Sequence, residues 1–145
     1  MSGGLLSPAM QVLAITATIL ALHLIVLGSW TGMVRMRRKI YVNPEDARQL
    51  SGTTGESEHP DVQRVKRAHQ NAFENLVPFF IVAWFYVATA PSRTAAIAYF
   101  GTFTAARILH SVFYLWGRQP FRTISFAIGS LATLGLGYQV FAAAI

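Results

Sequence analysis

The sequence predicts an all-α integral membrane protein, a four-helix bundle whose consecutive helices run up and down through the bilayer. Of its 145 residues, 53% are hydrophobic and only 12% are charged, whereas a soluble domain has roughly 25% charged residues. Long uncharged stretches separate a few short segments that hold nearly all of the charge. A soluble domain of this size would need more charge to cover its surface, so we expect the chain to lie in a membrane.

Four segments have the length and composition of membrane helices, each of which needs roughly 20 mainly apolar residues. We predict spans at about 10–33, 71–90, 93–116 and 121–144 within a single domain, 1–145, and a polar loop at about 35–60. The second span is the least apolar, because the uncharged stretch after Glu74 is short. Pro60 and Asp61 are typical of a helix start, so this helix is expected to begin in water and run into the bilayer.

The distribution of charge predicts the orientation. Most Lys and Arg residues lie between the first two spans, and Arg118 and Arg122 mark the turn between the last two. The positive-inside rule therefore places these connections in the cytoplasm and both termini on the other side. The net charge of +6 does not indicate nucleic-acid binding, because the basic residues stand beside membrane spans. With no cysteine, the chain lacks a disulfide framework, and we predict no metal site.

Two ionisable residues fall within predicted spans, and such residues indicate a functional site. Counted from the outer ends of their helices, Glu74 lies about 24 Å deep and Arg107 about 20 Å deep at the usual helical rise. We therefore predict that they face each other or a shared polar cavity. A purely structural ion pair is the alternative, since buried charges are paired whatever their use.

Polar residues at helical spacing extend this pattern on three helices. They are Arg67, Asn71 and Glu74 on the second helix, Arg107, His110 and Tyr114 on the third, and Arg122 with Thr123 at the start of the fourth. Such a site suits a small, multiply charged anion and an apolar co-substrate that arrives from the lipid. The basic run 35–39 has another interpretation, an anchor for lipid headgroups. His23 is expected to form a hydrogen bond between helices.

At these residues the sequence resembles a known family. The segment 61–79, DVQRVKRAHQNAFENLVPF, is similar to the signature of the MAPEG family, the membrane-associated proteins in eicosanoid and glutathione metabolism. The segments TGMVRMRRK (31–39), NPEDA (43–47), RILHSVFY (107–114) and PFRT (120–123) continue the resemblance. It covers about 31–123 and is nearest to the branch of microsomal prostaglandin E synthase and microsomal glutathione transferase.

The resemblance implies a homotrimer in the lipid bilayer that binds glutathione between neighbouring subunits, near the cytoplasmic side. By match to the family motifs, the implied glutathione contacts are Arg35, Arg67, Asn71, Glu74, His110 and Tyr114. Arg122 resembles the arginine at the thiol, and Thr123 stands where the family has a hydroxyl donor. Arg107 resembles a buried arginine that supports the site, and Asp46 matches an acidic residue implicated beside the thiol.

The sequence also departs from the family pattern. Gln70 replaces an arginine that contacts glutathione in the prostaglandin synthase, and Phe126 replaces a tyrosine near the tripeptide. These changes count against prostaglandin isomerase activity more than against glutathione binding. We therefore predict a detoxifying glutathione transferase or peroxidase, acting on lipophilic small molecules in a bacterial inner membrane or the endoplasmic reticulum. A prostaglandin isomerase, a non-catalytic lipid-binding protein and a small transporter remain as alternatives.

Overall fold

The computed structural model describes residues 6–145. Four long helices and one short one account for most of this part of the chain, and two two-residue strands are the only β structure in it. The elements in order are α1 (Pro8–Arg38), β1 (Ile40–Tyr41), α2 (Pro44–Gln49), β2 (Thr53–Thr54), α3 (Pro60–Ala88), α4 (Arg93–Leu115) and α5 (Gln119–Ala144). The predicted all-α class is confirmed.

Local sequence signals explain where the long helices begin. The Ser7 hydroxyl accepts a hydrogen bond from the backbone N–H of Met10, and Ser92 caps α4 in the same way. At the start of α3, the His59 ring nitrogen Nδ1 accepts from the N–H of Asp61, at 3.1 Å. Pro60 occupies the first position of that helix, where a missing N–H costs nothing. The helix start predicted at Pro60 is confirmed.

All four long helices contribute to the core, and its aromatic part lies where α3 and α4 meet. Phe79 of α3 stacks on Phe103 of α4 with ring centroids 3.7 Å apart, and Phe100 meets Phe79 edge-on at 5.8 Å. Both α1 and α5 pack against this central pair. The His23 side chain of α1 forms a 3.0 Å hydrogen bond with the Ser111 hydroxyl of α4. The predicted role of His23 as a hydrogen-bonding residue between helices is confirmed.

Helices α1, α3 and α5 are long and apolar enough to cross a membrane. Helix α4 is less apolar because it carries Arg107 and His110, but both side chains are buried inside the bundle rather than turned outward. The outward faces are covered with large apolar side chains, such as Ile25 and Leu134. An apolar surface of this extent is suited to lipid.

The connection between α1 and α3 is folded back on itself. Strand β1 pairs in parallel with β2, so that Ile40 lies opposite Thr53. Gly52 permits this approach, because a Cβ there would lie 2.3 Å from the Tyr41 ring and 2.6 Å from the Lys39 carbonyl oxygen. The sequence predicts only a polar loop here. The structure shows in addition that the pair of short strands holds part of this loop in a fixed arrangement.

We use the term basic end for the part of the bundle where α1 ends, α3 begins and α4 turns into α5. Arg35, Arg37 and Arg38 occupy the last turn of α1 there. The α4–α5 turn at the same end contains Gly117, whose φ of 68° lies in the left-handed region that glycine adopts without strain. Both basic connections of the sequence therefore meet at one end of the bundle.

Candidate functional site

The polar stripe of α4 faces α5. Arg107 is only 1% exposed, and its Nη2 donates a 3.1 Å hydrogen bond to the carbonyl oxygen of Phe126. The guanidinium carbon lies 5.0 Å from the centroid of the Phe126 ring and 5.4 Å from that of Phe103. Aromatic faces attract a cation at this range, so the charge is held between two rings and a carbonyl.

Gly129 of α5 makes room for the Arg107 guanidinium. A Cβ at this position would lie 2.6 Å from Nη2 and 2.7 Å from Nε of Arg107. The helices can therefore close around the arginine only because α5 carries a glycine at this level. The close approach positions the rest of the α4 stripe against the first turns of α5.

Further along the stripe, His110, Tyr114 and Arg122 form a connected set. The Nδ1 of His110 donates to the carbonyl oxygen of Arg122 at 3.0 Å, since a carbonyl can only accept. The Arg122 guanidinium lies over the Tyr114 ring, 4.8 Å from its centroid. Arg122 is half-buried and Thr123 beside it is exposed, in the first turns of α5. We call Arg107, His110, Tyr114, Arg122 and Phe126 the α4–α5 cluster.

Several buried polar atoms have no hydrogen-bond partner within residues 6–145. They are Oδ1 of Asn71, Nε and Nη1 of Arg107, Nε2 of His110 and the Tyr41 hydroxyl. Leaving a buried polar atom unpaired costs about 1–3 kcal/mol. These atoms are therefore points at which the folded chain carries a local cost in stability.

The polar stripe of α3, comprising Arg67, Gln70, Asn71 and Glu74, is arranged differently. Arg67, Gln70 and Glu74 are exposed, and Asn71 is half-buried. Gln70 Nε2 donates to Glu74 Oε1 at 2.8 Å, and Arg67 reaches back to Gln63 at 3.4 Å. These side chains therefore bond along their own helix, and within the described chain no hydrogen bond joins them to the α4–α5 cluster.

The predicted meeting of Glu74 and Arg107 does not occur within one chain. Arg107 turns toward α5, whereas Glu74 stands exposed on α3. Within residues 6–145, neither side chain takes part in an ion pair. The depth of a residue can be counted along its helix, but the direction in which it points depends on how that helix is rotated against its neighbours. The prediction that they face each other is wrong for the single chain, and the alternative, a shared polar cavity, stays a prediction.

A polar cleft of about 430 Å³ lies between the end of α1, the strand pair and α3, and it contains Arg35 and Asp46. Arg35 forms an ion pair with Glu58, and Lys66 binds the same carboxylate at 2.8 Å. Asp46 accepts a hydrogen bond from the Asn43 amide at 3.2 Å. Sequence reasoning missed Glu58, because it lies in a segment of loop composition with no helical spacing to mark it.

The environment of Glu58 sets its charge. Partial burial by itself raises the pKa of the carboxyl group, but hydrogen bonds and attraction from Lys66 and Arg35 outweigh this, so its pKa lies below the ordinary value. Glu58 is consequently ionised at neutral pH and holds Arg35 to the 39–59 connection. Of the arginines assigned by the resemblance, Arg35 is thus tied by a carboxylate, Arg122 rests on an aromatic ring and Arg67 is exposed.

Comparison with known proteins identifies the family. The family model described as "MAPEG family" matches residues 13–142, which include all of α3 and α4 and all but the first residues of α1 and the last residues of α5. The chain belongs to the MAPEG family. The chain is therefore a multi-pass integral membrane protein, and the MAPEG family includes membrane enzymes that use glutathione.

Similar MAPEG relatives carry the names of two different activities. Prostaglandin E synthase from Homo sapiens is 33% identical over 135 residues, which cover 92% of this chain and 89% of the relative. Microsomal glutathione S-transferase 1 from Homo sapiens is 33% identical over 129 residues, or 86% of this chain and 83% of the relative. The rat transferase is 34% identical over 133 residues, with the same coverage. Overall identity therefore does not distinguish the two activities.

Proposed function

We propose that this MAPEG protein is a glutathione transferase that also reduces lipid hydroperoxides, with its site between the subunits of a homotrimer. The observation that carries the proposal is the position of Arg122. It lies in the first turns of α5, with its cation over the Tyr114 ring and its carbonyl held by His110. Glutathione would supply the thiol, because the chain contains no cysteine of its own.

The α4–α5 cluster suits activation of a thiol. A free thiol has a pKa of about 8.5, and a neighbouring cation lowers that value and so favours the thiolate. Arg122 supplies the cation, and the exposed hydroxyl of Thr123 can donate a hydrogen bond to the same sulfur. In the half-buried setting of Arg122, this attraction is screened less than in open water. An apolar electrophile or hydroperoxide would reach the sulfur from the lipid side.

The exposed groups support a site shared between chains. Arg67 and Glu74 of the α3 stripe could bind a carboxylate and an α-amino group, respectively, but in the single chain they are directed outward. At the α4–α5 cluster, Arg122 is half-buried and Thr123 beside it is exposed, in the first turns of α5. A site assembled from the α3 stripe of one subunit and the α4–α5 cluster of its neighbour accounts for both halves. We further propose that the basic end faces the cytoplasm, as the positive-inside rule predicts.

The test is the ultraviolet absorbance of the thiolate when glutathione is added to the detergent-purified protein at neutral pH. We expect a thiolate signal for the wild type and its loss, by about tenfold or more, in Arg122→Ala. Arg118→Ala is the matched control: it removes an exposed arginine at the start of the same helix and should keep the signal.

Two other results would each favour a different function. If calorimetry detects no glutathione binding while lipid binding persists, the protein is a non-catalytic lipid-binding member. If the thiolate forms but only a prostaglandin endoperoxide is turned over, the protein is an isomerase, the activity named for the prostaglandin E synthase relatives. Gln70 and Phe126 are the positions that count against this second outcome, since each lacks the polar group that the resemblance expects there.

A further inference from the structure

A second cavity lies at the basic end, on the outside of the bundle. It has a volume of about 500 Å³ and is enclosed by the end of α1, the start of α3 and the end of α4. Trp30 and Trp116 line its walls, and both are exposed, at 44% and 70%. None of the residues assigned to glutathione lines this cavity, so its occupant is independent of the proposed function.

The charges in the cavity are mostly positive. Arg37, Arg38 and Arg64 line it, and Asp61 is the one acidic residue among its lining groups. Asp61 is engaged by Arg38 in an ion pair, which leaves Arg37 and Arg64 in excess. The Arg64 guanidinium lies against the α4–α5 turn, with Nη1 at 3.3 Å from the position of a Cβ on Gly117. The cavity is therefore a cationic recess rather than a general basic surface.

The remaining walls are apolar, and the two tryptophans indicate the level in the bilayer at which the cavity lies. Valine and leucine side chains of the three helices complete the lining. Tryptophan concentrates at both membrane–water interfaces, and the third tryptophan of the chain, Trp84, lies near the other end of α3. Trp30 and Trp116 thus place the mouth of the cavity at the level of the lipid headgroups.

We propose that this cavity binds the headgroup of an anionic membrane lipid. The phosphate faces Arg37 and Arg64, and the acyl chains leave the cavity along its apolar walls, past the two tryptophans. Basic pockets between membrane helices are the sites where proteins hold anionic phospholipids. A free phosphate would use the arginines but leave the apolar walls without a partner. A zwitterionic lipid would bring an ammonium group to a site that is already cationic.

The experiment uses tryptophan fluorescence in the full chain reconstituted in bilayer discs. Trp84→Phe leaves Trp30 and Trp116 as the reporters. The discs contain phosphatidylcholine with a rising fraction of phosphatidylglycerol that is brominated on its acyl chains, a quencher of tryptophan. We expect quenching to saturate at a low fraction of the anionic lipid, and brominated phosphatidylcholine to quench only in proportion to its amount.

The double variant Arg37→Gln/Arg64→Gln tests the arginines. In the Trp84→Phe background it should require an about tenfold higher fraction of phosphatidylglycerol for half-quenching. Arg48→Gln/Arg118→Gln is the matched control: it removes two exposed arginines from outside the cavity and should leave the curve unchanged. Circular dichroism checks the fold, and the single variants, each with part of the shift, replace the double variant if it is unfolded.

Three results would overturn the proposal. The first is an equal shift in the control variant, because the effect would then be one of overall charge. The second is quenching by brominated phosphatidylcholine that matches the anionic lipid. In the third, millimolar inorganic phosphate protects the tryptophans in discs that contain phosphatidylglycerol, and the occupant is then the free anion.

Discussion

The α4–α5 cluster and the α3 stripe carry similar chemistry but are held in different ways. Arg107 and His110 are almost fully buried, and neighbouring rings and carbonyl oxygens fix their positions. Arg67 and Glu74 are exposed and bond only along their own helix. One half of the candidate site is thus organised by the single chain, and the other half is free to be organised by a ligand or a neighbouring subunit. Substitutions in the α4–α5 cluster should therefore lower the stability of the fold, whereas substitutions in the α3 stripe should lower the affinity for glutathione.

The largest effect on stability is expected at Gly129, which packs against Arg107 of the α4–α5 cluster. Gly129→Ala would place a methyl group within 2.6 Å of the enclosed Arg107 guanidinium, so either the arginine or the helix must move. We expect a loss of about 1–3 kcal/mol in the free energy of unfolding, measured by denaturation in detergent. Gly101→Ala is the control, because a Cβ there meets nothing within 4 Å. Equal stability of the two variants would show that Arg107 is not held as tightly as its surroundings imply.

The α3 stripe should show the opposite pattern. Glu74→Gln removes a charge from an exposed side chain, so the melting temperature should stay unchanged. Glutathione affinity, measured by calorimetry, should fall about tenfold, because a hydrogen bond between charged groups is lost. Glu45→Gln removes the same charge from the exposed face of α2 and should change neither quantity. A fall in stability without a change in affinity would remove Glu74 from the site.

A smaller effect on stability is expected from the ion pair between Arg35 and Glu58. This ion pair holds Arg35 in place, so Arg35 is fixed more firmly than the exposed α3 stripe but is less buried than Arg107. Glu58→Gln should lower the free energy of unfolding at pH 7 by about 1 kcal/mol. The pKa of Glu58 is lowered in the folded state, so its contribution is complete above the ordinary carboxyl value of 4.5 and is lost as the pH falls through the folded-state pKa. The wild type and the variant should therefore converge in acid, in denaturation curves measured between pH 7 and pH 3.

Glu56→Gln is the control for this experiment. Glu56 is exposed in the same connection, and within residues 6–145 it forms no ion pair. Its substitution should leave the stability at pH 7 unchanged. If the difference between wild type and Glu58→Gln persisted at pH 3, the ion pairs of Glu58 would not be its source.

Sequence reasoning predicted the features that depend on local signals. The helix start at Pro60 and the apolar stretches are each marked by a few neighbouring residues, and α3 begins where this signal stands. The grouping of Arg107 with His110 and Tyr114 on one face was also predictable from helical spacing. The trimer and the roles of the site residues stay predictions.

The features that the sequence could not predict depend on distant partners. The rotation of α4 against α5 decides that Arg107 meets Phe126 rather than Glu74, and no periodicity within one helix encodes it. The pairing of Ile40 with Thr53 involves two-residue strands, which are too short to show an alternating pattern. The ion pairs of Glu58 join a loop to two helices and likewise leave no mark in the local sequence.

The hydrogen bond between His23 and Ser111 has a consequence for biosynthesis. The two residues are 88 positions apart, so the ribosome completes α1 long before the partner of His23 is made. During that interval an imidazole in hydrocarbon must find water or another polar group, at a cost in free energy. Docking of α1 against α4 removes the cost, which favours late closure of the bundle around its first helix. His23 thereby links the order of synthesis to the order of assembly.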